Sequence, residues 1–102
     1  MLDQDSWNEI LRILSKYISQ YTVWAFGSRV TGKAKPYSDL DLVIYTDESI
    51  SLESMAVLNE AFDESDLPIR VDVVDWAGTT ASFREIIQKD YLVIQQGGST
   101  AN

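Results

Sequence analysis

The 102 residues include no cysteine and no histidine. The first absence excludes disulfides, thiolate zinc sites and thiol nucleophiles, and the second removes the commonest general base. Any chemistry therefore falls to carboxylates, hydroxyls, lysine and arginine. No apolar run approaches the ~20 residues that a bilayer-crossing helix requires, and the amino-terminal MLDQDSWNEI is acidic and polar, unlike a secretory signal. A cytoplasmic location, away from any membrane, is the default expectation. Basic residues are also scarce: eight Lys and Arg against sixteen Asp and Glu give a net charge of -8. Such a chain repels a phosphate backbone, which disfavours long nucleic acid as a direct ligand. Surplus carboxylate is compatible with divalent cations and with a basic protein partner, and it also serves simply to keep a surface soluble.

What is present is enough for one core. With 45% hydrophobic residues the chain can bury a compact interior but cannot fill two domains of ordinary size, so a single domain over residues 1–102 is expected. Ser6 with Glu9 fits a capping box, and Ile10, Ile13, Leu14, Tyr17 and Ile18 recur at helical spacing, predicting a first amphipathic helix from about Trp7 to Gln20. Thr22 to Phe26, β-branched and aromatic and stopped by Gly27, reads as a buried strand. The loop from Gly27 to Ser38 gathers Arg29, Lys33 and Lys35. Asp39 to Tyr45 reads as a second strand and Ser51 to Phe62 as a second helix, broken by Pro68. A third strand is expected at Ile69 to Val74. Ser82 with Glu85 offers a cap for a short last helix carrying Phe83, Ile86, Ile87 and Tyr91, and the tail over residues 96–102 reads as disordered. This order predicts an α/β or α+β layer structure.

The chemistry concentrates in acids. Strand alternation puts Asp39 and Asp41 on one face while Leu40 and Leu42 point the other way. Two carboxylates ~7 Å apart along one strand repel each other and call for a compensating cation. Mg²⁺ is a natural candidate, because it takes one or two carboxylates together with substrate phosphates and water. Asp-x-Asp alone is weak evidence, since acids at strand ends are commonly solvated or capping a turn. In Arg70-Val71-Asp72-Val73-Val74-Asp75, Asp72 interrupts an apolar layer and is the candidate third ligand. Asp75 faces the opposite side by alternation and has the simpler role of starting the Trp76-Ala77-Gly78 turn. Gly27-Ser28 directly after a strand could admit phosphate oxygens to backbone N–H groups and add a hydroxyl, although the same dipeptide also serves as an ordinary strand stop.

Gly27-Ser28, ten intervening residues and Asp39-Leu40-Asp41 together resemble the signature of the polymerase-β-like nucleotidyltransferases. The run GSRVTGKAKPYSDLDLVIY, with Gly32 and Ser38, is similar to the form seen in minimal nucleotidyltransferase proteins, and RVDVVDW resembles their third-carboxylate strand. The resemblance spans about Trp7 to Ile94. It implies a mixed sheet flanked by helices, two Mg²⁺ ions on Asp39, Asp41 and Asp72, ATP as nucleotide donor, and release of pyrophosphate. It further implies phosphate contacts from Gly27 and Ser28, with Arg29, Lys33 and Ser38 as further candidate nucleotide-binding residues; Arg29 and Lys33 read equally well as solvated loop charges. Minimal nucleotidyltransferases of this size commonly pair with a helical HEPN protein, adding AMP to a tyrosine of that ribonuclease toxin and so acting as antitoxin.

Two other functions compete. A non-catalytic acidic module that neutralises a basic toxin by binding alone fits the net charge, but leaves three uncompensated acids unexplained. Transfer to a small molecule would need a pocket built between subunits. Trp7, Trp24 and Trp76 are expected to fill the core, and none of the five tyrosines stands out as a nucleotide acceptor.

Overall fold

The computed structural model describes residues 2–97. Helix α1 (Gln4–Ile18) leads into strand β1 (Thr22–Phe26), a one-turn helix α2 (Ser28–Thr31) and strand β2 (Leu40–Tyr45). Helix α3 (Leu52–Asp63), strand β3 (Val71–Asp75), a 3-10 turn (Trp76–Gly78), helix α4 (Ala81–Lys89) and strand β4 (Tyr91–Gln95) complete the order. The sheet runs β3-β2-β1-β4. β1 is antiparallel to both β2 and β4, while β2 and β3 are parallel, so the sheet is mixed as expected.

One face of the sheet meets α1 and α3. Ile10, Ile13, Leu14 and Ile18 from α1 and Leu58 and Phe62 from α3 close over Val23, Ala25, Leu40, Leu42, Ile44, Val71 and Val73. Complete burial of each large aliphatic chain contributes roughly 1.5–3 kcal/mol, so this face supplies most of the cohesion. α4 crosses the opposite face, where the buried cluster is only Phe26, Val43 and Ile87, with Trp24, Val74, Trp76 and Phe83 packed beside it. Among the described residues no helix is long and apolar enough to cross a membrane.

Local chemistry moved several predicted boundaries. α1 starts earlier than Trp7: the Asp3 carboxylate accepts from the Ser6 backbone N–H at 3.2 Å, and Ser6 lies inside the helix, buried. Aspartate is as good an N-cap as serine, and the earlier start adds helical hydrogen bonds. In α4 the cap is Thr80, which accepts from Phe83 N–H at 3.1 Å, and Ser82 falls within the first turn. Ser51 caps α3 by the same bond to Ser54 N–H.

The largest correction concerns Tyr91, which does not extend α4. The run Tyr91-Leu92-Val93-Ile94-Gln95 forms a fourth strand against β1, as its aromatic and β-branched content favours. The end of β4 is tied down, and so is Gly97 in the expected disordered tail. The Gln95 side-chain amide donates to the carbonyls of Ile18 and Tyr21 at 3.0 and 2.9 Å, and Gly97 N–H donates to Thr22 Oγ1 at 2.9 Å. The rest of that expectation, residues 98–102, lies outside the described residues.

Candidate active site

The acids meet because of strand register. Asp41 is the Cα partner of Phe26 on one side and of Asp72 on the other. Since Leu40 and Leu42 are fully buried on the helical side, Asp41 and Asp72 both project to the α4 face at the end where β1 finishes. Asp41 is half-buried, Asp72 is exposed, and Asp39 is exposed just before β2 begins. Burial, then the Asp72 charge, then the Asp39 charge hold the Asp41 carboxyl above the usual aspartate range. Asp39 and Asp72 therefore both bear electrostatically on Asp41.

Gly27 forms the roof of this group. Its φ of +83° and ψ of −159° lie in backbone territory that glycine alone enters freely. A Cβ there would stand 2.5 Å from Asp41 Oδ2, so the chain can turn over the carboxylate only without a side chain. The turn continues as α2, in which Val30 and Thr31 N–H donate to the Gly27 carbonyl at 3.0 and 3.1 Å. Gly32, left-handed at φ +82°, closes it by donating to the Ser28 carbonyl. Half-buried Ser28 thus opens a one-turn helix beside Asp41.

Among the described residues no three carboxylates form a closed cation cage. Like charges spread apart, and Mg²⁺ completes its shell with phosphate oxygens and water rather than with a protein-only cage. The donor chemistry fits a hard divalent cation: Asp41 already carries the electrostatic strain that such an ion relieves.

The loop residues behave differently from the acids. Arg29 is turned inward and only 7% exposed. Its Nε donates to the Ser38 carbonyl at 3.1 Å, and its Nη2 is shared among the carbonyls of Ser38, Pro36 and Lys35 at 2.9, 3.0 and 3.3 Å. It is thus not a solvated loop charge. Ser38 uses its Oγ to accept from Lys35 N–H at 2.9 Å, closing the turn before Asp39. Lys33 is exposed. Asp75 has the structural role its spacing suggested: its two oxygens accept from Gly78 N–H at 2.8 Å and from Ile50 N–H at 3.1 Å.

Sequence reasoning did not foresee the aromatic stack beside α4. Trp24 lies between Tyr45 and Tyr91, with centroids at 4.7 and 4.2 Å, and Trp76 meets it edge-on at 5.5 Å. Strand alternation would have revealed the Trp24–Tyr45 side had β1 and β2 been paired in register; Tyr91 needed the fourth strand.

Comparison with known proteins agrees with this geometry. The sequence model of the family described as polymerase beta, nucleotidyltransferase, matches residues 8–97. A Haemophilus influenzae relative named "Probable protein adenylyltransferase MntA" is 58% identical over 88 residues, covering 86% of this chain and 77% of the relative. A crystal structure of a toxin-antitoxin with AMP-PNP superposes with a TM-score of 0.73 at 20% identity, over 88% of this chain and 73% of that one. A tri-AMPylated Shewanella oneidensis HEPN toxin in complex with its MNT antitoxin matches with a TM-score of 0.68 at 18% identity, over 93% of this chain and 73% of that one. At such identities the two structures speak to the fold, whereas the family match spans nearly all of the described chain and takes in every residue of the acid group. This chain belongs to the polymerase β nucleotidyltransferase family.

Proposed function

We propose that the chain is a protein adenylyltransferase that moves AMP from ATP to a tyrosine hydroxyl of a HEPN-type toxin, silencing it as a cytoplasmic antitoxin. The β2–β3 register carries this reading, because it sets Asp41 beside Asp72 directly beneath the Gly27 turn. The relative's name supports protein as the acceptor, and the HEPN complex of a structural neighbour supports the partner. The sheet and its helices would act as a single catalytic domain.

Asp39, Asp41 and Asp72 would hold two Mg²⁺ ions. When bound, these ions neutralise charge on the attacking and leaving oxygens, so no histidine is needed. The Gly27 backbone and the Ser28 hydroxyl would hold the β- and γ-phosphates beside Asp41; Lys33 lies within the same loop. The tyrosine oxygen forms a bond to the α-phosphorus as the bond to the β-phosphate oxygen breaks. Pyrophosphate leaves, and the hydroxyl proton passes to the solvent that reaches exposed Asp72. Holding donor and acceptor in line converts a bimolecular encounter into an oriented one.

A second reading, neutralisation by binding alone, is favoured by the net charge of -8. One experiment separates the two: the chain and its Asp39→Asn/Asp41→Asn form are incubated with the HEPN partner, Mg²⁺ and ATP labelled on the α-phosphate. Label on a partner tyrosine with the unaltered chain only, lost on chelation, is the expected result. A tight complex without label in either case would establish the binding module instead.

A further inference from the structure

Arg29 presents an unusual economy of charge. The chain holds twice as many acids as bases, yet among the described residues the carboxylate–guanidinium ion pair is Arg12 with Glu9, not Arg29. Burying an unpaired cation is costly unless hydrogen bonds replace its hydration. Arg29 meets that condition entirely with main-chain carbonyls, all of them in the four residues Lys35–Ser38.

The location gives those bonds a purpose. Arg29 follows Ser28 in sequence, and Ser38 precedes Asp39. The guanidinium therefore fastens the start of the phosphate-side turn to the residue that launches the carboxylate strand, bridging nine positions of chain. Within the fastened segment the other ties are short-range: Ser38 N–H to the Lys35 carbonyl at 3.0 Å and Lys35 N–H to Ser38 Oγ at 2.9 Å. They shape the turn without attaching it to α2. On the β2 side, Leu40 N–H is anchored to the Arg70 carbonyl at 2.9 Å, so Ser38 and Asp39 are the last links whose placement depends on Arg29.

We propose that Arg29 is a positioning residue: its buried fork holds the Lys35–Ser38 carbonyls so that Asp39 faces the Gly27–Ser28 turn at a fixed separation from Asp41, which the sheet itself holds. It touches neither nucleotide nor acceptor. A planar fork with several donors can satisfy carbonyls spread over four residues; a lysine ammonium at the same site reaches fewer of them. A cavity of about 460 Å³, lined by Arg29, Lys35, Pro36, Gly32 and Ile69, opens onto this side chain and gives a small guanidinium compound access to the space that truncation would leave.

The assignment rests on the nucleotidyltransferase reading, and its test includes readouts that do not need transfer. Arg29→Lys and Arg29→Ala are compared with the unaltered chain by amide hydrogen exchange, Mn²⁺ binding and, with ATP and the HEPN partner, kcat and KM. Faster exchange confined to about residues 33–41, weaker Mn²⁺ binding and a kcat/KM lowered about a hundredfold are expected in both variants, as a misplacement near 1 Å suffices for that loss. Methylguanidinium, but not methylammonium, should restore Arg29→Ala. If Arg29→Lys keeps wild-type exchange, Mn²⁺ affinity and kcat/KM, or if exchange accelerates uniformly along the chain, the assignment is overturned. Should the unaltered chain transfer nothing, exchange and Mn²⁺ binding still decide it, and the failure belongs to the proposed reaction.

Discussion

On the α1–α3 side of the sheet, Val23, Ala25, Leu40, Leu42 and Ile44 are at most 1% exposed. On the α4 side, alternate residues of β2 pass from buried Val43 through half-buried Asp41 to exposed Tyr45, and Asp72 of β3 beside Asp41 is exposed. One helix covers what two helices cover opposite. The α4 side consequently has fewer apolar residues to lose and keeps a solvent-reached edge on which carboxylates can stand close together. Stability is concentrated on one face of the sheet and charge repulsion on the other, and adjacent residues of β2 belong to different regimes.

The sharpest trial of that division substitutes neighbours. Leu42→Ala should cost about 2–5 kcal/mol of unfolding free energy, through lost burial and the cavity left behind. Asp41→Asn should instead make the metal-free protein slightly more stable while slowing transfer by about three orders of magnitude, the scale of several kcal/mol of electrostatic stabilisation. Urea unfolding and initial transfer rates measure both. Equal destabilisation by the two substitutions would break the comparison.

Gly27→Ala should show an intermediate effect. The φ and ψ of this position cost roughly 1–3 kcal/mol for any L-residue, and the new methyl group must displace Asp41 Oδ2 from 2.5 Å. Transfer should fall by a larger factor than stability does, since the displaced atom belongs to the acid group. A variant as active as the parent would show that this close approach is dispensable.

The mildest effect is a slope with pH. Because the folded-state pKa of Asp41 is raised, the folded protein binds its proton more tightly than the unfolded chain does. Its contribution to stability is complete below the unfolded aspartate value of about 3.9 and disappears as pH rises through the raised folded value. In the absence of divalent metal, Asp41→Asn should flatten that part of the stability curve. Denaturant midpoints at a series of pH values, with and without Asp41, are the check, and identical curves would remove the burial and repulsion argument.

Much of this was legible in the residues themselves. Strand alternation placed Leu40 and Leu42 opposite the acids, and the apolar spacing of Ile10, Ile13, Leu14 and Ile18 identified the face of α1. Asp75 read correctly as a turn residue, because the geometry of a following turn is local. The reading of Arg29 as a solvated loop charge did not hold: a charge in a loop gives no sign in sequence that its partners are carbonyls six to nine residues away. β4 escaped because Tyr91 prolonged the apolar period of α4, and only pairing with β1, a contact across more than sixty residues, turns that run into a strand. The caps of α1 and α4 slipped by a few residues where two capping residues lay close together.

The bond from Gly97 to Thr22 carries a practical corollary. Thr22 opens β1, whereas Phe26, which neighbours Asp41, ends it. Gly97 is therefore held at the margin of the sheet remote from the acids, by roughly the 13 Å that four strand residues span. A fluorophore or surface tether joined after Gly97 would set out from the side opposite the reacting groups, leaving their approach open to a large acceptor during single-molecule or immobilised assays.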